Sequence, residues 1–190
     1  MHKYLLFYKP YAVLSTFTDS SGRSTLKDYI PVSGVYAAGR LDYKSEGLLL
    51  LTDDGPFIQH LIDPHNEHPR TYFVQIEGVI SNEAIDRLRN GVELSGRMTK
   101  PTVIKSIKEP ELPSRPVPVR NYHPTSWVKI VLYEGKKHEI RRMTAVVGFP
   151  TLRLIRFAIG KLTIDKLQPG EWRELTQIDI EQLMNSNVEF

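Results

Sequence analysis

The chain predicts an α+β fold, and three observations carry that prediction. Segments of strand length recur from one end of the sequence to the other. The helical segments among them follow no strict strand–helix–strand rhythm, which argues against a doubly wound sheet. Finally, Leu48-Leu49-Leu50-Leu51 is bounded by turn residues, as suits a strand buried on both faces. A run that short is also compatible with helix.

Lys3 to Lys9 reads as the first strand, stopped at Pro10. A turn at Ser20-Ser21-Gly22-Arg23 precedes one helical turn over Leu26 to Ile30. Val35 to Ala38 is a short strand leading into a loop at Asp42, and the leucine strand runs from Leu48 to Thr52. After the turn residues Asp53-Asp54-Gly55-Pro56, the positions Phe57, Ile58, Leu61 and Ile62 have helical spacing, until Asp63-Pro64 ends it. Arg70 to Glu77 alternates, with Tyr72, Val74 and Ile76 on one face. Ser81 is placed to cap a helix with an Ile85–Leu88 stripe that Gly91 ends. Val103 to Lys108 reads as a strand. Five prolines between Glu109 and Pro124 then forbid regular structure, and a segment so long and irregular points to function or mobility. Trp127 to Tyr133 alternates, and a helix from His138 to Val147 buries Ile140, Met143 and Val147. Thr151 to Phe157 and Lys161 to Ile164 are strands around Gly160, and Thr176 caps a last helix carrying Ile180 and Leu183.

A length of 190 residues allows one domain or two small ones. With no cysteine there is no disulfide, thiolate zinc site or cysteine nucleophile. The N-terminal apolar run is broken by Lys9-Pro10, too early for a signal-peptide core or a membrane span, so the expected compartment is the cytoplasm. A net charge of +3 argues only weakly for a polyanionic partner. Its distribution says more: Lys136, Lys137, His138, Arg141 and Arg142 lie together, and Arg153, Arg156 and Lys161 follow. A solvated face would look the same.

Three strings carry chemistry. Gly39-Arg40-Leu41-Asp42-Tyr43-Lys44-Ser45-Glu46-Gly47 sets a carboxylate on the loop that feeds the leucine strand, where its neighbours can tune it as a nucleophile. Arg70-Thr71-Tyr72 and His138-Glu139-Ile140-Arg141-Arg142-Met143 follow in order. Together they resemble the motifs of the RsuA-type ribosomal pseudouridine synthases, and the resemblance runs from about Tyr4 to Leu175. It implies a pseudouridine synthase fold with a mixed, mainly antiparallel central sheet flanked by helices and loops. One catalytic domain would span residues 1–190, with room for two α+β subdomains. Many relatives carry an N-terminal S4-type RNA-binding module; this chain begins directly at the first catalytic strand, so substrate choice is expected to rest on the catalytic domain.

The implied reaction detaches a uracil from its ribose, rotates it and rejoins it through C5, with the uridine flipped from its stack. By resemblance, Asp42 is the catalytic carboxylate. Tyr72 packs on the target base and helps remove the C5 proton, and Arg141 forms a salt bridge with Asp42. Arg40 contacts RNA near the vacated stack, while Lys136, Lys137, Arg142 and Arg153 are candidate phosphate contacts. Glu139 stands where relatives often carry glutamine. No metal or other cofactor is expected. The implied substrate is 23S rRNA, naked or in an assembly intermediate, acted on by a monomer with no obligate protein partner and no membrane. Two rivals remain. A non-catalytic RNA-binding or ribosome-assembly module on the same fold would not need Asp42, Tyr72 and Arg141 all intact. A metal hydrolase built on His60, His65 and His68 would lack the His-Glu-x-x-His pattern.

Overall fold

The computed structural model describes residues 2–120, 122–164 and 166–184. Its central sheet is built on β1 (Tyr4–Lys9), β2 (Tyr36–Ala38), β3 (Glu46–Thr52), β4 (Arg70–Glu77), β7 (Val103–Ile107), β8 (Thr125–Leu132), β9 (Thr151–Ile159), β10 (Leu162–Thr163) and β11 (Trp172–Glu174). A separate two-stranded ribbon pairs β5 (Glu93–Leu94) with β6 (Arg97–Met98). The helices are α1 (Gly55–Ile62), α2 (Asn82–Asn90), α3 (Glu139–Val146) and α4 (Gln177–Met184). The expected mixed sheet is what forms: the order is β11-β1-β3-β9-β4-β8-β7, with β2 on β3 and β10 on β9. Among the described residues, only β3 and β9 pair in parallel.

The leucine strand is buried on both faces, as its composition demands. Leu48 and Leu50 pack into one apolar cluster with Leu6 and Tyr8, while Leu49 and Leu51 pack into another with Leu5 and Phe7. Removing one such side chain from its packed site costs about 2–5 kcal/mol. On β4 the alternation holds: Tyr72, Val74 and Ile76 face a third cluster that includes Leu88 of α2 and Met143 of α3. Phe73 turns the other way, its ring 4.7 Å from that of Phe157.

Local chemistry sets the helix ends. Asp54 caps α1 by accepting from the Phe57 amide at 3.0 Å, and Ser81 caps α2 by accepting from the Ala84 amide at 3.2 Å. Thr176 accepts from the Asp179 amide at 3.2 Å beside α4. Among the described residues of the Pro-rich segment there is no helix or strand. Nothing in the sequence announces the β5–β6 ribbon or β11, whose two- and three-residue strands are too short to show a period.

One edge of β3 is shared. Its last residues pair with β2, from Leu50 to Thr52, and its first residues, Glu46 and Gly47, pair with β9. The two neighbours diverge at Leu48 and leave a fork in the sheet, from which the chain leaves β2 toward Asp42. Gly47 is obligatory here. Its φ is +105°, and a Cβ would lie 2.3 Å from the Arg156 carbonyl oxygen.

Candidate active site

A cleft of about 570 Å³ opens beside the fork, and Arg40, Asp42, Tyr72, Lys136, Lys137, His138 and Arg156 are among the residues that line it. The fold therefore gathers most of the site residues expected from sequence, although they come from loops and strands up to 97 positions apart (Arg40 to Lys137).

The Asp42 loop is fastened along its length by neutral and cationic donors. Ser15 holds both polar groups of Leu41, donating to its carbonyl at 2.8 Å and accepting from its amide at 3.1 Å. The Asp42 carbonyl accepts from the Ser45 amide at 3.0 Å, closing a turn. The fully buried Lys9 ammonium sits behind that turn, donating to the carbonyls of Val13 at 2.7 Å and Pro10 at 2.9 Å. Burial pushes Lys9 down to about 7, opposed by the negative fields of Glu46 and Asp42.

Arg156 fills the fork. Its Nε donates to the Leu48 carbonyl and its Nη2 to the Gly39 carbonyl, both at 2.8 Å, so one guanidinium ties β9 to β3 and to the start of the Asp42 loop. It is 2% exposed and has no carboxylate within ion-pairing distance among the described residues. Burial disfavours its charge; the phenol of Tyr72, its cross-strand neighbour, supports it. Arg156 thus underlies both Asp42 and Tyr72. In sequence it is one member of a basic cluster, because nothing local reveals acceptors 108 and 117 positions away.

Asp42 keeps a third of its side-chain surface open to the cleft, and its Oδ1 lies 3.3 Å from His138 Nε2. His138 reaches it from the residue before α3, in a left-handed conformation with φ 54° and ψ 27°. The sequence motif contained this histidine, but its role was missed. The expected salt bridge from Arg141 to Asp42 is not formed. Arg141 instead donates to the Lys44 carbonyl at 2.9 Å, bracing the Asp42 turn from outside, while its charge still feels the Asp42 field. The turn presents its carbonyl to α3 and its carboxylate to the cleft, so the guanidinium meets the carbonyl first.

Arg153 needs a correction. Rather than offering itself to phosphate, it is 8% exposed and forms a bidentate pair with Glu46 at 3.0 and 2.8 Å. Its Nη2 also donates to the Pro113 carbonyl at 2.8 Å, pinning the Pro-rich segment. Burial of two opposite charges is stable only when both are satisfied, and here they are. Arg40, Lys137 and Arg142 are exposed, and Arg142 donates to Ser95 at 2.6 Å. Lys136 is exposed too, with its ammonium 2.7 Å from Glu134.

Away from the cleft, His60 and His68 meet edge to face with ring centroids 4.9 Å apart, and His65 bonds Asp63 at 2.8 Å. Among the described residues no group of three or more His, Cys, Asp or Glu could hold a metal ion, and no helix is long and apolar enough to cross a membrane.

Comparison with known proteins agrees with this geometry. The family model described as RNA pseudouridylate synthase matches residues 3–146. Ribosomal large subunit pseudouridine synthase E of Vibrio vulnificus is 49% identical over 176 residues, which cover 92% of this chain and 75% of that protein. Ribosomal large subunit pseudouridine synthase B of Bacillus subtilis is 32% identical over 183 residues, 95% of this chain and 70% of that one. A solved structure described as a crystal structure of pseudouridylate synthase superposes with a TM-score of 0.81 at 27% identity, covering 96% of this chain and 74% of that chain. A cleft with an open aspartate, a buried tyrosine and a cationic frame, on a sheet shared with these proteins, leaves one conclusion: the chain belongs to the RNA pseudouridylate synthase family.

Proposed function

We propose that this chain isomerises a uridine of 23S rRNA, in the large ribosomal subunit, to pseudouridine, and that Asp42 is the group that reacts. The observation that carries the assignment is the Asp42 carboxylate, held rigidly by its backbone yet open to the cleft beside Tyr72. A flipped uridine would enter with its base on the Tyr72 ring. Asp42 would attack the nucleoside or stabilise the species formed as the base detaches. The base would turn within the cleft, rejoin through C5 and lose its C5 proton, with Tyr72 assisting. Arg141, through the Lys44 carbonyl and its field, fixes the direction in which Asp42 points. Arg40 enters the space left in the RNA stack, and Lys136, Lys137 and Arg142 contact phosphates. The enzyme acts as a cytoplasmic monomer, one catalytic unit that needs no metal or redox cofactor. The identity to the two large-subunit synthases supports the substrate class.

Tritium release from C5-labelled uridine in large-subunit rRNA tests the assignment. Asp42→Asn, nearly isosteric, should abolish release while the fold and RNA affinity persist. Substantial release by this variant would refute the role of Asp42. Pseudouridine mapping of rRNA from cells with and without the protein identifies the substrate.

A further inference from the structure

The loop that carries His138 to Asp42 is closed by two carboxyls. Glu139, the first residue of α3, is 4% exposed. Its Oε2 accepts from the Lys136 amide at 3.0 Å. Its Oε1 is buried without a hydrogen-bond donor among the described residues, and its neighbour is the Glu134 carboxyl. Glu134, just beyond β8, is buried as well. Its Oε1 accepts from the Lys100 amide at 2.6 Å and its Oε2 meets the Lys136 ammonium at 2.7 Å.

The other charged groups around the pair are engaged elsewhere. From the segment before β7, Lys100 turns its ammonium to Glu67 at 2.7 Å. From β4, Arg70 lies beside Gly135 and donates to the Leu61 carbonyl at 2.9 Å. His138 faces Asp42, and Tyr133 stands in the field of Glu67. Two buried carboxyls in contact, one ammonium on Glu134 and one Glu139 oxygen without a donor are satisfied by a single shared proton.

We propose that Glu139 is a positioning residue that works in its protonated form: its proton bridges to Glu134, closes the 134–139 loop, and thereby holds His138 against Asp42 and Arg141 against the Asp42 turn. Loss of the proton leaves two like charges in contact inside a protein wall. The bonds that remain, from the Lys136 amide to Oε2 and from the Glu139 amide to the Lys136 carbonyl, must then hold the left-handed conformation of His138 against that repulsion. Burial, with the Glu134 charge added, pushes the Glu139 carboxyl up to about 7. The folded chain therefore holds a proton that the unfolded chain has released, from the ordinary 4.5 up to about 7. Stability falls as pH rises through that window, and above it the loss is complete. A protonated carboxyl offers one donor and one acceptor, as does the carboxamide of glutamine, which does not titrate.

This inference rests on Asp42 as the reacting group, and the experiment separates the two claims. Single-turnover isomerisation is measured from pH 6 to 8.5, and thermal melts from pH 4.5 to 7.5, on the wild type and on Glu139→Gln. The wild-type rate should fall about fivefold or more and its Tm should fall relative to that of Glu139→Gln as pH rises, whereas Glu139→Gln should hold its rate within about twofold; other titrating groups such as Lys9 act on both proteins alike. Infrared spectra at pH 6 should show the carbonyl band of a protonated carboxyl that is missing from Glu139→Gln. Should Glu139→Gln fail to fold, Glu134→Gln gives Glu139 an amide donor and should flatten both profiles as well. Parallel pH profiles in wild type and variants, or no carboxyl band in the wild type, would overturn the proposal. An active Asp42→Asn would instead remove Asp42 from the chemistry while the melts and the infrared band stand.

Discussion

The two rims of the cleft are fixed by opposite charges. On the Asp42 rim, cations clamp carbonyl oxygens: buried Lys9 holds Pro10 and Val13, buried Arg156 holds Gly39 and Leu48, and the half-buried Arg141 holds Lys44. On the α3 rim, buried carboxyls clamp amides: Glu134 holds Lys100, and Glu139 holds Lys136. Both arrangements satisfy backbone groups that would otherwise be left unpaired, at a cost of about 1–3 kcal/mol each. They differ in what they leave at the mouth. The first rim puts its positive field behind a carboxylate that it does not neutralise by contact. The second turns its negative charge inward and leaves Lys137 and His138 outward. Guanidinium groups do not titrate, whereas Lys9 and the carboxyls do, so each rim carries one buried group brought to about 7, Lys9 from above and Glu139 from below.

The comparison can be broken most severely where the charges are paired. Arg153→Ala would strand Glu46 in the core and should cost about 3–5 kcal/mol, or on the order of 10 °C in Tm. RNA affinity per folded molecule should not change, and a filter-binding assay on the folded fraction would expose any hidden phosphate contact. Next comes Arg156→Met. With the Gly39 carbonyl released, the single-turnover rate should fall about 10- to 100-fold with little change in KM, and Arg156→Lys should recover part of it. An equal loss in both parameters would mean that Arg156 binds RNA rather than positioning the loop.

Arg141 and Arg142 sharpen the comparison further, since they sit about 100° apart on one helix. Arg141→Ala should slow the chemical step, and Arg142→Ala should chiefly weaken RNA binding. Equal effects on rate would place the wrong arginine at the Asp42 turn. The smallest effect is expected from Lys136→Ala with Lys137→Ala. Together they should lower the magnitude of the log–log salt slope by about 1 to 2, and an unchanged slope would put the RNA on another face.

Much of this could be read before any coordinates. The leucine run announced β3 because four apolar residues between turns have few other homes. The alternation of Tyr72, Val74 and Ile76 announced β4, and the order of the motifs put Asp42, Tyr72 and the α3 cations in one site. What escaped was set by partners remote in sequence. Arg153 looked like a surface cation because Glu46 lies 107 positions away, and Arg156 looked like its companion although its acceptors are backbone carbonyls. His138 was visible as a basic residue. Its contact with Asp42 depends on a left-handed residue that only the folded loop reveals.

The fork at β3 makes the sheet a spliced object. Asp42 hangs from the part formed by β1, β2 and β3, whereas Tyr72 belongs to the part formed by β4 and β8, and β9 is the splint between them. The backbone of that splint pairs with β3 over Glu46 and Gly47. The spacing between Asp42 and Tyr72 is therefore gauged by a contact so close that a single added methyl at position 47 has no room. Gly47→Ala would act as a shim, wedging the joint open and widening the jaws of a cleft whose own residues are untouched.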